Sequence, residues 1–239
     1  ADIDALPMEE SSGLPFASQH KGVCHSCGHD IHTAYLLLVA RVLQENRASL
    51  VGNVRLLFQP AEELGSGAKY MVEKGAFTQQ PVMDQIVGVH VATELPVGHI
   101  GLIKGPASAS CDTIRITVHG FGGHGAHPSR CIDPIIISAY LIAQLQTIVS
   151  REISPFQPAV LTFGQISGGK APNVIPESVT FSGTLRTFDH EVRDQIKEAV
   201  RRTCQMHCQS MRATVDVEIE DGIPPLIHDA SIVDGLEQA

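Results

Sequence analysis

Eleven residues, Cys24–Ala34 (CHSCGHDIHTA), hold two cysteines, three histidines and an aspartate. Thiolate and imidazole are the ligands that zinc and its transition-metal neighbours prefer. The Cys27-Gly28-His29 triple can turn sulfur and ring towards one ion, because glycine frees the backbone between them. A helix start also favours the thiolate. The same residues fit a plain helix cap with a buried cysteine and a surface histidine. Cys24 and Cys27 are formally a C-x-x-C thiol pair, without a second such pair at zinc-ribbon spacing. His25, His29 and His32 form a third candidate set, although His25 precedes the helix. Further along, FQPAEEL places Glu62 and Glu63 directly after a short apolar run. Adjacent carboxylates point in different directions, so one can hold a metal while the other stays free as a base; an acidic helix start reads the same way. His90 ends the apolar run IVGVHV, where a lone histidine also fits a core position. Together, Cys27, His29, Glu63 and His90 fall at element ends on one edge of one expected sheet. That gathering suits a closely spaced metal pair.

Certain elements must position these residues. DIHTAYLLLVARVLQEN predicts a helix with Ser26 or Asp30 as N-cap. NVRLLFQP, DQIVGVHV and GHIGLIKG read as strands, and SGAKYMVEKGAF as a helix ending at Gly75. Strands alternating with helices indicate a parallel or mixed α/β sheet. Near Ser108 the rhythm changes. CDTIRITVHGF alternates with period two, and DPIIISAYLIAQLQTIVSR is a helix with Pro134 in its first turn. AVLTFGQISGG and SVTFSGTLRTFD are two strands, HEVRDQIKEAVRRTCQMHCQSM an amphipathic helix and ATVDVEIEDG a last strand. That order, β-α-β-β-α-β, is the ferredoxin-like split unit. A further helix is expected from Asp229.

With 239 residues, 43% hydrophobic and 18% charged, the chain is long enough for one large or two ordinary domains. It has no apolar run long enough to span a membrane. A formal net charge of −9 argues against nucleic acid and anionic membranes as main partners. A framework of disulfides among the six cysteines belongs to short secreted chains, and this chain is neither short nor visibly secreted.

ADIDALP, CHSCGHDIHTA, FQPAEE, GVHV, GGHGAHPS, PNVIP and GTLRTFD occur in this order. They resemble the amidohydrolase branch of the metal-dependent aminoacylase and carboxypeptidase family, which includes hippurate hydrolases, indole-acetyl-amino-acid hydrolases and N-acetyl-diaminopimelate deacetylases. The resemblance covers nearly the whole chain. It implies an α/β fold, with a metal-dependent exopeptidase-like catalytic domain and an inserted α+β ferredoxin-like lid that also dimerises. On that pattern, residues 1–107 are the first part of the catalytic domain, 108–222 the lid, and 223–239 the start of the return.

The resemblance further implies two divalent metal ions, zinc or manganese first and cobalt or nickel next. Cys27 would bridge them, with His29, Glu63 and His90 as further ligands. Glu62 would be the general base towards a metal-activated water. Asp4 and Asp30 would orient the ligands from behind. His124 would polarise the scissile carbonyl from the lid, and Asn173 and Arg186 would bind substrate. Arginine suits a free carboxylate through paired hydrogen bonds. The expected activity is hydrolysis of the amide bond of N-acyl amino acids, by a cytoplasmic homodimer joined through the lid. Two other function classes are a thiol-redox protein using Cys24 and Cys27 and a non-catalytic, lid-type dimerisation module. The family carries one more ligand histidine near its C-terminus. His228 is the only late candidate, in a context that does not match. The first catalytic strands are also not found, so the chain is expected to be an internal fragment.

Overall fold

A computed structural model describes residues 1–239. The chain forms two compact units, Ala1–Gly101 and Leu102–Ala239. In the first unit, helix α1 spans His29–Glu45 and α2 spans Gly67–Glu73. The N-cap of α1 is neither Ser26 nor Asp30. It is Gly28, at φ 85, with no side-chain capping bond. Only glycine suits this place. Its backbone is left-handed, and a Cβ would stand 2.6 Å from Val91 Cγ2.

The expected strands at 53–60, 84–91 and 98–105 form no ladder in this unit; only Gly105 enters a strand. A strand exists through a neighbour that takes its backbone groups. Here Val54, Val87, Val89 and Ile100 are exposed instead. The pairing that does form is local. Ala1 to Ile3 run alongside Leu57 to Gln59 (Ile3 N to Gln59 O 3.0 Å, Gln59 N to Ala1 O 2.7 Å). Leu6 then exchanges two backbone bonds with Cys24. These contacts lay Asp2 and Asp4 beside the start of α1. Arg55 ties the segment to the loop after α2, donating to the carbonyls of Ala76, Gln79 and Pro81.

The second unit contains strands β1 (Gly105–Ser108), β2 (Cys111–His119) and β3 (Gly123–His124), helix α3 (Pro134–Thr147), strands β4 (Ala159–Gly168), β5 (Val174–Ile175) and β6 (Ser178–Thr187), helix α4 (His190–Ser210), strands β7 (Thr214–Ile223) and β8 (Leu226–His228), and helix α5 (Ala230–Gln238). The main sheet runs β4-β6-β2-β7, antiparallel throughout. This is the β-α-β-β-α-β arrangement that the alternation predicts. Along β2 the inward positions Asp112, Ile114, Ile116 and Val118 are buried. Ile114, Ile116 and Val118 share one core cluster with Ile137, Leu141 and Leu145 of α3 and with Ile196, Val200 and Cys204 of α4. The spacing on α4 is the helical one that builds a single apolar face. Asp133 and Asp189 cap α3 and α4 by accepting first-turn N–H groups. Residues 223–239 lie in this unit: β8 pairs with β1, and Asp229 caps α5. No helix is long and apolar enough to cross a membrane.

Candidate metal centre

The first turn of α1 buries histidine rather than aliphatic side chains. His29 and His32, one turn apart, are 1% and 3% exposed. His29 Nδ1–H donates to the Asp4 backbone carbonyl at 3.0 Å, with Asp4 Oδ1 at 3.3 Å. Its other nitrogen, Nε2, is buried and has no hydrogen-bond partner. Around that atom stand Asp2 Oδ2 at 3.5 Å, Glu62 Oε2 at 3.8 Å and Glu63 Oε1 at 3.8 Å. Cys27 Sγ lies 3.6 Å from His90 Nε2. His90 Nδ1–H donates to the Val91 carbonyl at 2.7 Å, which leaves Nε2 as the free ligand atom. Donor atoms of Cys27, His29 and His90 lie within 4.8 Å of one another, as do those of His29, Glu62 and Glu63. His29 belongs to both sets.

The turn that presents the two glutamates is tight. Ala61 sits at φ 51, an uncommon conformation for a residue with a side chain. Gly67 lies so close beneath it that a Cβ would meet the Pro60 carbonyl oxygen at 1.5 Å. Asp4 Oδ2 accepts the Glu63 N–H at 3.0 Å and holds the turn against the N-terminal segment.

The electrostatics are those of an acidic cluster. Burial, then the Glu63 charge, pushes the Glu62 carboxyl up, more than the nearby His29 lowers it. Burial also raises the Cys27 thiol, followed by the hydrogen bond and charge of Glu63 and the charges of Glu62 and Asp2. Burial works against ionised Asp4, yet the backbone N–H groups of Glu63 and Glu62 hold its carboxyl below the usual range. A divalent cation would answer all these groups at once. Sulfur, imidazole and carboxylate donors aimed at one buried, unpartnered nitrogen fit such an ion.

Of the residues singled out in the sequence, Cys27, His29, Glu62, Glu63, His90 and Asp4 come together here. Asp30 does not; it is exposed in the first turn of α1 and makes no hydrogen bond or ion pair. Cys24 is buried beside Leu6, and both it and Cys27 are free thiols. Asp2 belongs to the cluster and was not singled out in the sequence; His32, offered there only in a set with His25 and His29, belongs to it as well. Both signals were present: Asp2 alternates with Asp4, and His32 follows His29 by one turn.

In the second unit, His124 in β3 pairs with Val174 in β5, and Asn173 accepts the Gly125 N–H at 2.8 Å. The Ala126 N–H donates to His124 Nδ1 at 3.1 Å. A neutral His124 therefore carries its proton on Nε2, the exposed nitrogen-donor arrangement an oxyanion needs. Arg186 lies elsewhere, on β6 opposite Val160, exposed and without an ion pair. His228 donates to the Ile103 carbonyl at 2.9 Å, within the second unit.

Residues 1–239 match peptidase family M20/M25/M40 along their whole length. The chain belongs to this family. It is 47% identical over 232 residues to an N-acetyl-L-cysteine deacetylase of Bacillus subtilis, a match covering 97% of this chain and 55% of that protein. A solved structure from methicillin-resistant Staphylococcus aureus superposes with a TM-score of 0.95 at 37% identity, covering 100% of this chain and 63% of that one. A Bacillus subtilis protein described as a dinuclear metal binding peptidase from the M20 family superposes with a TM-score of 0.81 at 34% identity, covering 100% of this chain and 60% of that one. This member of the family thus spans a little over half the length of the relatives it matches.

Proposed function

We propose that the protein is a metal-dependent amidohydrolase that cleaves the amide bond of N-acyl amino acids. The observation that carries this reading is the buried, unpartnered His29 Nε2, facing carboxylates of Asp2, Glu62 and Glu63 in a cluster with Cys27 and His90. Cys27, His29, Glu63 and His90 would hold two divalent ions, zinc or manganese. Bound there, such ions supply Lewis-acid polarisation of the amide and acidify water towards neutrality.

The remaining chemistry belongs to side chains. Glu62, its carboxyl raised by burial and by Glu63, takes a proton from the attacking water and returns it to the leaving amine. Asp4 fixes the His29 ring so that Nε2 faces the cluster. His124 offers Nε2–H to the carbonyl oxygen as it gains charge. Asn173 and Arg186 bind substrate, and the arginine suits the free carboxylate of the amino-acid half. Residues 1–107 act as the metal-binding part, 108–222 as a lid that joins two copies, and 223–239 as the return. Six free cysteines suit a reducing compartment, and we place the protein in the cytoplasm. The name of the Bacillus subtilis deacetylase supports a small N-acyl amino acid as substrate.

The test is a panel of N-acyl amino acids, N-acetyl-L-cysteine included, against protein loaded separately with zinc, manganese, cobalt and nickel. Metal-dependent release of free amino acid is expected. Metal bound to the Cys27 and His29 cluster without hydrolysis of any substrate would overturn the proposed activity.

A further inference from the structure

Val91 joins three segments that carry donors of the cluster. Its carbonyl accepts the His90 Nδ1–H at 2.7 Å. Its N–H donates to His32 Nε2 at 2.9 Å. Its side chain stands where a Cβ on Gly28 would be, against the turn between Cys27 and His29. The His32 ring is therefore committed at both ends. Nε2 accepts from Val91, so Nδ1 carries the proton and donates to Asp2 Oδ1 at 2.6 Å. The other Asp2 oxygen, Oδ2, lies 3.5 Å from His29 Nε2. Asp2 is in turn placed by its parallel bridge to Gln59 and by the Thr33 hydroxyl, which donates to its carbonyl at 3.3 Å. The His32 and His90 rings meet edge to face, with centroids 4.6 Å apart.

We infer that Asp2 and His32 are positioning residues: a hydrogen-bonded strut from the N-terminal segment through α1 to Val91, setting where the His90 ring stands against Cys27. This inference rests on the metal-centre reading above. His32 does not itself offer a lone pair, because both nitrogens are engaged. Its contribution is geometric. It holds the Val91 N–H, on the peptide that follows His90, and the Val91 carbonyl, on the next peptide, holds the Nδ1 side of His90 and so the direction of Nε2. Hydrogen-bond partners behind ligands commonly change metal affinity about 10- to 100-fold when removed.

Cobalt(II) titration of the whole chain tests this, read by the thiolate-to-cobalt absorption band that reports Cys27. His32→Leu is expected to weaken cobalt binding about 10- to 100-fold and to reduce the band. His32→Gln keeps one donor and one acceptor and should recover part of the loss. Wild-type affinity in His32→Leu overturns the strut. Equal loss in the Gln and Leu variants also overturns it, since the imidazole itself would then be what the metal needs. A second measurement does not depend on any variant folding. Long-range 1H–15N spectra of the metal-free wild-type chain should show His32 as the Nδ1–H tautomer, and the Nε2–H tautomer would overturn the inference. Absence of any cobalt binding by the wild-type chain would overturn the metal-centre reading instead, with the tautomer still deciding whether the strut exists.

Discussion

Glu62 and Glu63 are neighbours in sequence but differ in setting. Glu63 is anchored through its N–H to Asp4, whereas Glu62 has its carboxyl raised by burial and by Glu63. A raised carboxyl is the better base near neutral pH, and an anchored residue is the better ligand. Glu62→Gln is expected to keep its metal and lose about 100- to 10,000-fold in turnover. Glu63→Gln should lower metal affinity as well. Cobalt titration alongside turnover separates the two, and near-normal rates in metal-loaded Glu62→Gln would exclude Glu62 as the base. These two residues were legible because the sequence shows a carboxylate pair directly after an apolar run. Asp2 was not found, and His32 was read only as one of three histidines with His25 and His29, since a histidine within a helix reads as surface or core until its partners are known.

At the scale of elements, α1 shows how far periodicity reaches. Its apolar residues are many, yet Tyr35, Leu37, Leu38 and Val42 are exposed and His29 and His32 are buried. Which face of a helix is covered depends on what lies opposite, and here the N-terminal segment and Val91 lie opposite the histidines. Gly28 is the joint between the Cys27 turn and this helix. Gly28→Ala would carry a left-handed residue, a cost of about 1–2 kcal/mol, and its Cβ would press on Val91. Urea unfolding followed by probes in residues 1–101 should show that loss. Cobalt affinity should fall with it, because Val91 would move and His90 with it. Unchanged affinity would show that this joint does not set the ligand geometry.

At the scale of the molecule, the buried apolar core lies within the second unit. Limited proteolysis should therefore cut within residues 1–101 first and leave a resistant piece inside residues 102–239, as mass spectrometry would show. A resistant N-terminal piece would contradict this. The second unit also buries a charge. Asp112 is 0% exposed, and Arg193 donates to both of its oxygens at 2.8 and 2.5 Å. Lys197 Nζ stands 3.2 Å away, and the Gly222 N–H donates at 3.1 Å. Burial alone would raise this carboxyl, but Arg193, Lys197 and Gly222 together hold it below the usual range. A folded pKa below the unfolded one gives stability that is complete above about pH 4 and is lost as pH falls through the folded value. Asp221, held down chiefly by its hydrogen bond from Lys197, acts in the same direction. Acid unfolding of the wild-type chain should show that loss, and Asp112→Ala should lower stability by about 3–5 kcal/mol at neutral pH, the cost of stranding a buried partner. A smaller acid dependence in Asp112→Ala than in the wild type checks the sign.

The sequence by itself determined the order of the four main strands and two long helices of the second unit and the donor types of the candidate metal centre. Both are local properties. Alternation along CDTIRITVH and the helical spacing along α4 need only a few consecutive residues to express them. Cys27, His29, Glu63 and His90 were likewise readable as chemistry at element ends. Tertiary structure alone decided which nitrogen of His29 lacks a partner, why both ends of His32 are engaged, and why an aspartate sits on the inward face of β2. Each answer requires groups far apart in the chain: Asp2 meets His32, Val91 meets His32, and Arg193 meets Asp112. A polar group is buried at tolerable cost only when such distant partners arrive, and the spacing of nearby residues carries no record of them.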